Sequence, residues 1–145
     1  MEKKDILNKI RNVKSEHSRW ITYAEAKIKG LAISDDLVPV KHTECGCGKM
    51  FNNTGQIRFH LESAKSIPVD HEEFHKIYEI LYDLMNNKVE GNFLTKGSNK
   101  RKKEKQINDY LDILKRLSEN IKHSFDNVMQ EVEDLPDATF KNMFG

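Results

Sequence analysis

Apolar side chains recur at spacings of three and four along one stretch of the chain: Ile107, Tyr110, Leu111, Leu114, Leu117, Ile121, Phe125, Val128 and Val132. A helix turns once every 3.6 residues or so, and that period lines such residues up on one face. A stripe of this length must be covered by other helices, since a single helix cannot bury its own apolar face. Two further stretches carry matching stripes. One reads Ile6, Ile10, Val13, His17, Trp20, Ile21, Ala24, Ile28, and the other His71, Phe74, His75, Tyr78, Leu81, Tyr82, Met85. Nowhere do Val, Ile and Thr alternate over a strand-length window, so the chain reads as all-α.

The punctuation of the chain gives the expected boundaries. A first helix runs from about Lys4 to Lys29 and stops at Gly30, a residue suited to the left-handed C′ position. Residues 31–53 read as loop, broken by Pro39 and by Cys45-Gly-Cys-Gly, whose glycines suggest a sharp turn. A short helix over 54–64 with Thr54 as its cap follows, with Ile57, Leu61 and Ala64 on one face, then a helix from His71 to Asn87 capped by Asp70. Residues 86–103 read as an exposed connection, in which Phe93 and Leu94 are available to tuck onto the bundle and Lys100 to Lys103 form a solvated basic run. The last helix spans about Glu104 to Glu131, and Asp134-Leu135-Pro136-Asp137 halts it. The expected architecture is a four-helix bundle with an additional short helix or loop carrying Cys45. Residues 1–132 form the bundle and 133–145 a tail. A chain of 145 residues buries roughly two-thirds of its unfolded surface, enough for a core that does not depend on metal.

Within these stripes stand residues that an apolar core does not require. His71 and His75 are four apart, so their imidazoles stack one turn apart on one helix face. His17 lies on the buried stripe of its helix, and Cys45 sits between residues that let the backbone bring a sulfur close. Three imidazoles and one thiolate fill a tetrahedral zinc site without carboxylates. Glu16, Glu72 and Glu73 flank these ligands and are candidates to accept their second N–H, while Trp20, one turn from His17, is suited to walling the site from water. His42, three residues before Cys45, is the best outside ligand, whereas His60 and His123 read as surface residues.

The order of these pieces, His17-Ser-Arg-Trp20, then Cys45-Gly-Cys-Gly-Lys-Met50, Gly55, and His71-Glu-Glu-Phe-His75, resembles the chemoreceptor zinc-binding domain, CZB. The resemblance covers about Ile10 to Met85 and implies that His17, Cys45, His71 and His75 are the zinc ligands. Domains similar to this one occur in bacterial chemoreceptors and diguanylate cyclases. There, zinc occupancy or oxidation of the zinc-bound cysteine by species such as hypochlorous acid alters an attached output module. The resemblance therefore implies a zinc-binding sensory domain of bacterial signal transduction, of the chemotaxis or cyclic-di-GMP type. With no output module in the sequence, a stand-alone domain would act through a signalling partner or self-association, and monomer and homodimer both stay open. The chain departs from the family at Cys47, where an aliphatic residue is usual, and at Met50, where an aromatic is. Cys47, two residues from Cys45, is a candidate to resolve an oxidised Cys45 into a disulfide.

Composition narrows the alternatives. Lys and Arg number 24 against 23 Asp and Glu, a net charge of +1, which gives no overall pull toward nucleic acid. No apolar run approaches the roughly 18–20 residues of a membrane span and no signal sequence opens the chain, so a cytoplasmic protein with neither nucleic-acid nor membrane partners is expected. The second functional reading is a metal-dependent hydrolase, with three histidines on zinc, an open fourth position and Cys45 standing off. A di-iron bundle ranks last, because the inward stripes are nearly free of the carboxylates it needs. The leading reading is not an enzyme.

Overall fold

The computed structural model describes residues 1–53, 57 and 60–145, with the backbone alone for 51–53. Five helices are described: α1 (Lys3–Ile28), α2 (Gly46–Asn53), α3 (Ile67–Asn86), α4 (Lys96–Asp134) and α5 (Asp137–Phe144), with short 3-10 turns at Asp35–Leu37 and Glu62–Ala64. No strand occurs among the described residues. The chain is thus all-α, built on three long helices with two short ones packed against them.

The antiparallel pairing of α1 with α4 is written in charges along their seam. Lys3 donates to the carbonyls of Glu133 and Leu135 near the end of α4, Lys14 pairs with Asp126, and Glu25 meets Lys115 at 2.7 Å. Between these polar edges the predicted stripes close on each other. Ile6 and Ile10 of α1, Phe74, Tyr78 and Leu81 of α3, and Leu114, Ile121, Phe125 and Val128 of α4 are fully buried. Burying each such side chain contributes on the order of 1.5–3 kcal/mol. Ser118 is the polar exception on the α4 stripe, 1% exposed.

α1 ends as its sequence predicts. Gly30 has φ +93°, its N–H donates to the Lys27 carbonyl and that of Leu31 to the Ala26 carbonyl, both at 3.0 Å. This pair of hydrogen bonds around a left-handed glycine satisfies carbonyls that the helix itself leaves open.

Several sequence-derived expectations differ from the structure. α3 begins at Ile67, four residues before the expected start, because Pro68 fits the first turn, where its missing N–H is no loss. Asp70 therefore lies inside the first turn and does not cap it. α4 begins at Lys96, so the basic run Lys100–Lys103 is helical and not a connecting loop. Gly97, Ser98 and Asn99 are poor helix formers at a cost of up to about 1 kcal/mol each, yet propagation from a helix of 39 residues carries them. Phe93 and Leu94 do not tuck in; they are 98% and 86% exposed.

A further difference lies past Pro136, where the expected tail is the helix α5. Phe140 and Phe144 are buried, so these rings supply the burial that folds the segment. Of the short helix expected over 54–64, residues 54–56 and 58–59, with the cap Thr54 and Gly55, lie outside the described residues. Ile57, Leu61 and Ala64 are buried, and Glu62–Ala64 form a 3-10 turn.

Candidate metal centre

Cys45 ends the loop expected to carry it, but Gly46–Asn53, which read as part of that loop, form α2, and Cys45 is the residue that caps this helix. Its Sγ accepts the Gly48 N–H at 3.3 Å, satisfying a donor the first turn leaves open. Neither Gly46 nor Gly48 has a positive φ. Their role is close approach. A Cβ on Gly46 would fall 1.7 Å from a Glu16 carboxylate oxygen, and one on Gly48 would fall 1.6 Å from the His42 carbonyl oxygen. The absence of side chains lets the first turn of α2 press onto α1 and onto residues 42–43, which carries the sulfur to the face of α3.

On that face His71 and His75 stand one turn apart, with ring centroids 4.6 Å from each other. The Sγ of Cys45 lies 3.0 Å from His71 Nε2. Ligand atoms of Cys45, His71 and His75 all fall within 4.8 Å of one another. Ligand atoms around a tetrahedral zinc ion sit roughly 3.3–3.7 Å apart, a spacing between those two distances. This group could hold a metal ion, and one thiolate with two imidazoles is a donor set suited to zinc.

The ring of His75 is already oriented. Its Nδ1 donates to the Val40 carbonyl at 2.8 Å, which fixes the hydrogen on Nδ1 and leaves the Nε2 lone pair for a metal. The sequence offered Glu16, Glu72 and Glu73 for this supporting role. The acceptor is instead a backbone carbonyl; Glu72 pairs with Lys76 at 3.2 Å, and Glu16 lies over Gly46. Trp20 is 5% exposed, packs edge-on against His75 with ring centroids 5.2 Å apart, and directs its Nε1 toward the Pro39 carbonyl at 3.4 Å.

His17 is buried beside this group but does not join it. Its Nε2 lies 3.1 Å from the hydroxyl of Ser118 on α4, and its ring rests 4.9 Å from that of Phe74. His42, half-buried, has its ring centroid 6.3 Å from His71. Among the described residues, the candidate ligands thus divide into three that converge, one next to them held by a serine, and one at the rim.

Burial sets the protonation of the whole cluster. It pushes His17 down to about 4, aided by the positive charge of Lys122 and by His75. It pushes His71 down to about 3, aided by His75 and His17, and His75 down to about 4 against the opposing pull of its bond to Val40. All three are neutral at pH 7, the form a metal requires. Burial also raises the Cys45 thiol, an effect its backbone N–H contacts only partly offset. Cys47, 2% exposed, is raised further, first by burial and then by the nearby Cys45 and Glu16. A disulfide between Cys45 and Cys47 would require the first turn of α2 to unwind.

A cleft of about 400 Å³ opens beside the cluster, lined among others by Glu16, His17, Trp20, Cys45, Cys47 and His75. It gives small solutes a route to Cys45. Compared with known protein families, curated proteins and solved structures, the chain matches none.

Proposed function

We propose that this chain is a zinc-binding regulatory domain of the chemoreceptor zinc-binding kind, in which Cys45, His71 and His75 hold the ion and His17 supplies the fourth ligand. The observation that carries the reading is the convergence of Cys45, His71 and His75 within 4.8 Å from two separate elements. Bound zinc would hold the Cys45 sulfur as a thiolate. His75 is kept in the ligating tautomer by Val40, and Trp20 excludes water from one side of the ring.

A regulatory role is favoured over a structural staple by the composition of the site and by its surroundings. A single thiolate is one point of oxidative attack, and the adjoining cleft leaves it reachable. Apart from the three histidines and Ser118, the buried side chains of the core helices are apolar, which favours a fold that forms without metal. The signal in this reading is zinc concentration, or an oxidant such as hypochlorous acid. In the oxidant case the oxidant transfers oxygen to the sulfur, forming a sulfenic acid with release of chloride, and a strong ligand is lost. The listener would be a chemotaxis or cyclic-di-GMP signalling protein, or a second copy of the chain. The hydrolase alternative required Cys45 to stand away from the ion, and a sulfur 3.0 Å from His71 weighs against it.

Elemental analysis and chelator-detected zinc release on titration with hypochlorous acid test the proposal. The expected result is one zinc per chain, released by oxidant, and failure of Cys45→Ala to retain zinc through purification. A wild-type protein that takes up no zinc would overturn the reading. Zinc retained undiminished by Cys45→Ala would instead favour the three-histidine hydrolase site.

A further inference from the structure

The helix α4 has 39 residues, but its buried positions begin only at Leu111. Residues 91–98 are exposed throughout. The turn before the helix is tightly built. The Asn92 side-chain oxygen accepts the N–H groups of Leu94 and Thr95 at 3.0 and 3.1 Å, and Thr95 Oγ1 accepts the Asn92 N–H at 3.1 Å. Gly91, at φ +120°, admits this turn where another residue would be strained. Phe93 and Leu94 are therefore presented to water on an ordered turn, 98% and 86% exposed, the most exposed large apolar side chains among the described residues.

Charge gathers around the same tip. From Lys88 to Lys105 the chain carries seven cations and only two carboxylates, Glu90 and Glu104, although its net charge is +1, so the remainder is net acidic. Among the described residues Lys96, Lys100, Arg101 and Lys102 make no ion pair, while Lys105 meets Asp109 at 2.9 Å and Lys103 donates to the Asn87 carbonyl. Lys96, Lys100 and Lys103 continue, at spacings of four and three, the face that Leu111 and Leu114 bury further along. One continuous helix face thus changes from core to cationic surface where the bundle ends.

We propose that this tip docks on an anionic lipid bilayer, Phe93 and Leu94 entering the headgroup–acyl boundary while the surrounding Lys and Arg side chains meet lipid phosphates. Neighbouring exposed aromatic and aliphatic residues within a cluster of four to eight cations have the composition of an interfacial anchor. A nucleic-acid backbone would engage the same cations but leave Leu94 and Phe93 in water. The expectation that the chain has no membrane partner followed from the lack of a spanning segment. No helix of the described residues is long and apolar enough to cross a membrane, but docking at the surface requires none. The proposal is independent of the metal reading.

Vesicle co-sedimentation of the full chain decides it, comparing pure phosphatidylcholine with vesicles containing about 30% phosphatidylglycerol, at low salt and at about 0.15 M. Pelleting on the anionic vesicles alone is expected, weakening as salt rises. The double variant Phe93→Ser, Leu94→Ser, which alters two side chains that take no part in the core, is expected to bind at least about tenfold more weakly with unchanged helicity by circular dichroism. Charge reversal by Lys100→Glu with Arg101→Glu is expected to abolish binding. No pelleting on anionic vesicles would overturn the proposal. So would full binding by the Phe93→Ser, Leu94→Ser variant, or its equal competition by short duplex DNA, either of which would make the tip a general polyanion site.

Discussion

Ser118 illustrates how one polar residue in an apolar stripe can decide where a neighbouring ligand goes. Its hydroxyl is the hydrogen-bond partner of the His17 Nε2, 3.1 Å away and across the α1–α4 seam. If His17 turns to zinc through Nε2, that hydrogen bond has to be given up. Ser118→Ala is accordingly expected to destabilise the metal-free protein by about 1–3 kcal/mol, the cost of an unpaired buried imidazole, and the zinc-loaded protein by much less. Denaturant titration of both forms checks this; an equal loss in both would place His17 off the metal. The histidine pair was legible at this scale because a spacing of four on a helix has one geometric meaning. Ser118 was visible only as a gap in the apolar run, and the Val40 carbonyl that orients His75 has no side-chain signature at all.

At the scale of elements, α2 shows how a helix can be hidden by its own glycines. Cys45-Gly-Cys-Gly reads as a turn by propensity, since each glycine costs a helix roughly 1 kcal/mol. Packing overrides that preference here: at both glycines α2 lies so close to its neighbours that a Cβ would overlap an atom of Glu16 or of His42 as they stand. The two contacts differ in kind, and the difference is testable. A methyl at Gly46 meets the far end of the flexible Glu16 side chain, which can swing aside, whereas one at Gly48 meets the His42 main chain. Gly48→Ala is therefore expected to cost at least about 2 kcal/mol and to weaken zinc binding by about tenfold or more, with Gly46→Ala close to wild type in both. Thermal denaturation with a competitive zinc titration measures each. Comparable behaviour of the two variants would mean that the 42–43 backbone yields as readily as a side chain. The same competition between local propensity and context misplaced the start of α4, whereas Gly30, whose left-handed conformation is intrinsic, marked the end of α1 correctly.

For the molecule as a whole, burying three histidines together makes the metal-free fold sensitive to acid. In an unfolded chain each imidazole titrates near 6.5, while in the folded protein His17 and His75 titrate near 4 and His71 near 3. Between these values the unfolded state binds more protons than the native one, so stability rises with pH in that window and falls as pH is lowered. Well above 6.5, from about pH 7.5, both states hold neutral rings and the histidines add no pH dependence. Below 6.5 the unfolded chain gains protons that the native core refuses, and the loss accumulates until pH reaches the native values of about 4 and 3. Urea titrations of metal-free protein should therefore give a flat stability from pH 8 to about 7.5 and a decline on the order of several kcal/mol by about pH 4.5. Replacing His17, which faces Ser118 and Phe74 and senses Lys122 and Glu119 from α4, with Phe should make that decline shallower. A wild-type profile flat down to pH 4.5 would mean that the histidines become hydrated in the metal-free state, and the cluster would then be an open site assembled only when a metal arrives.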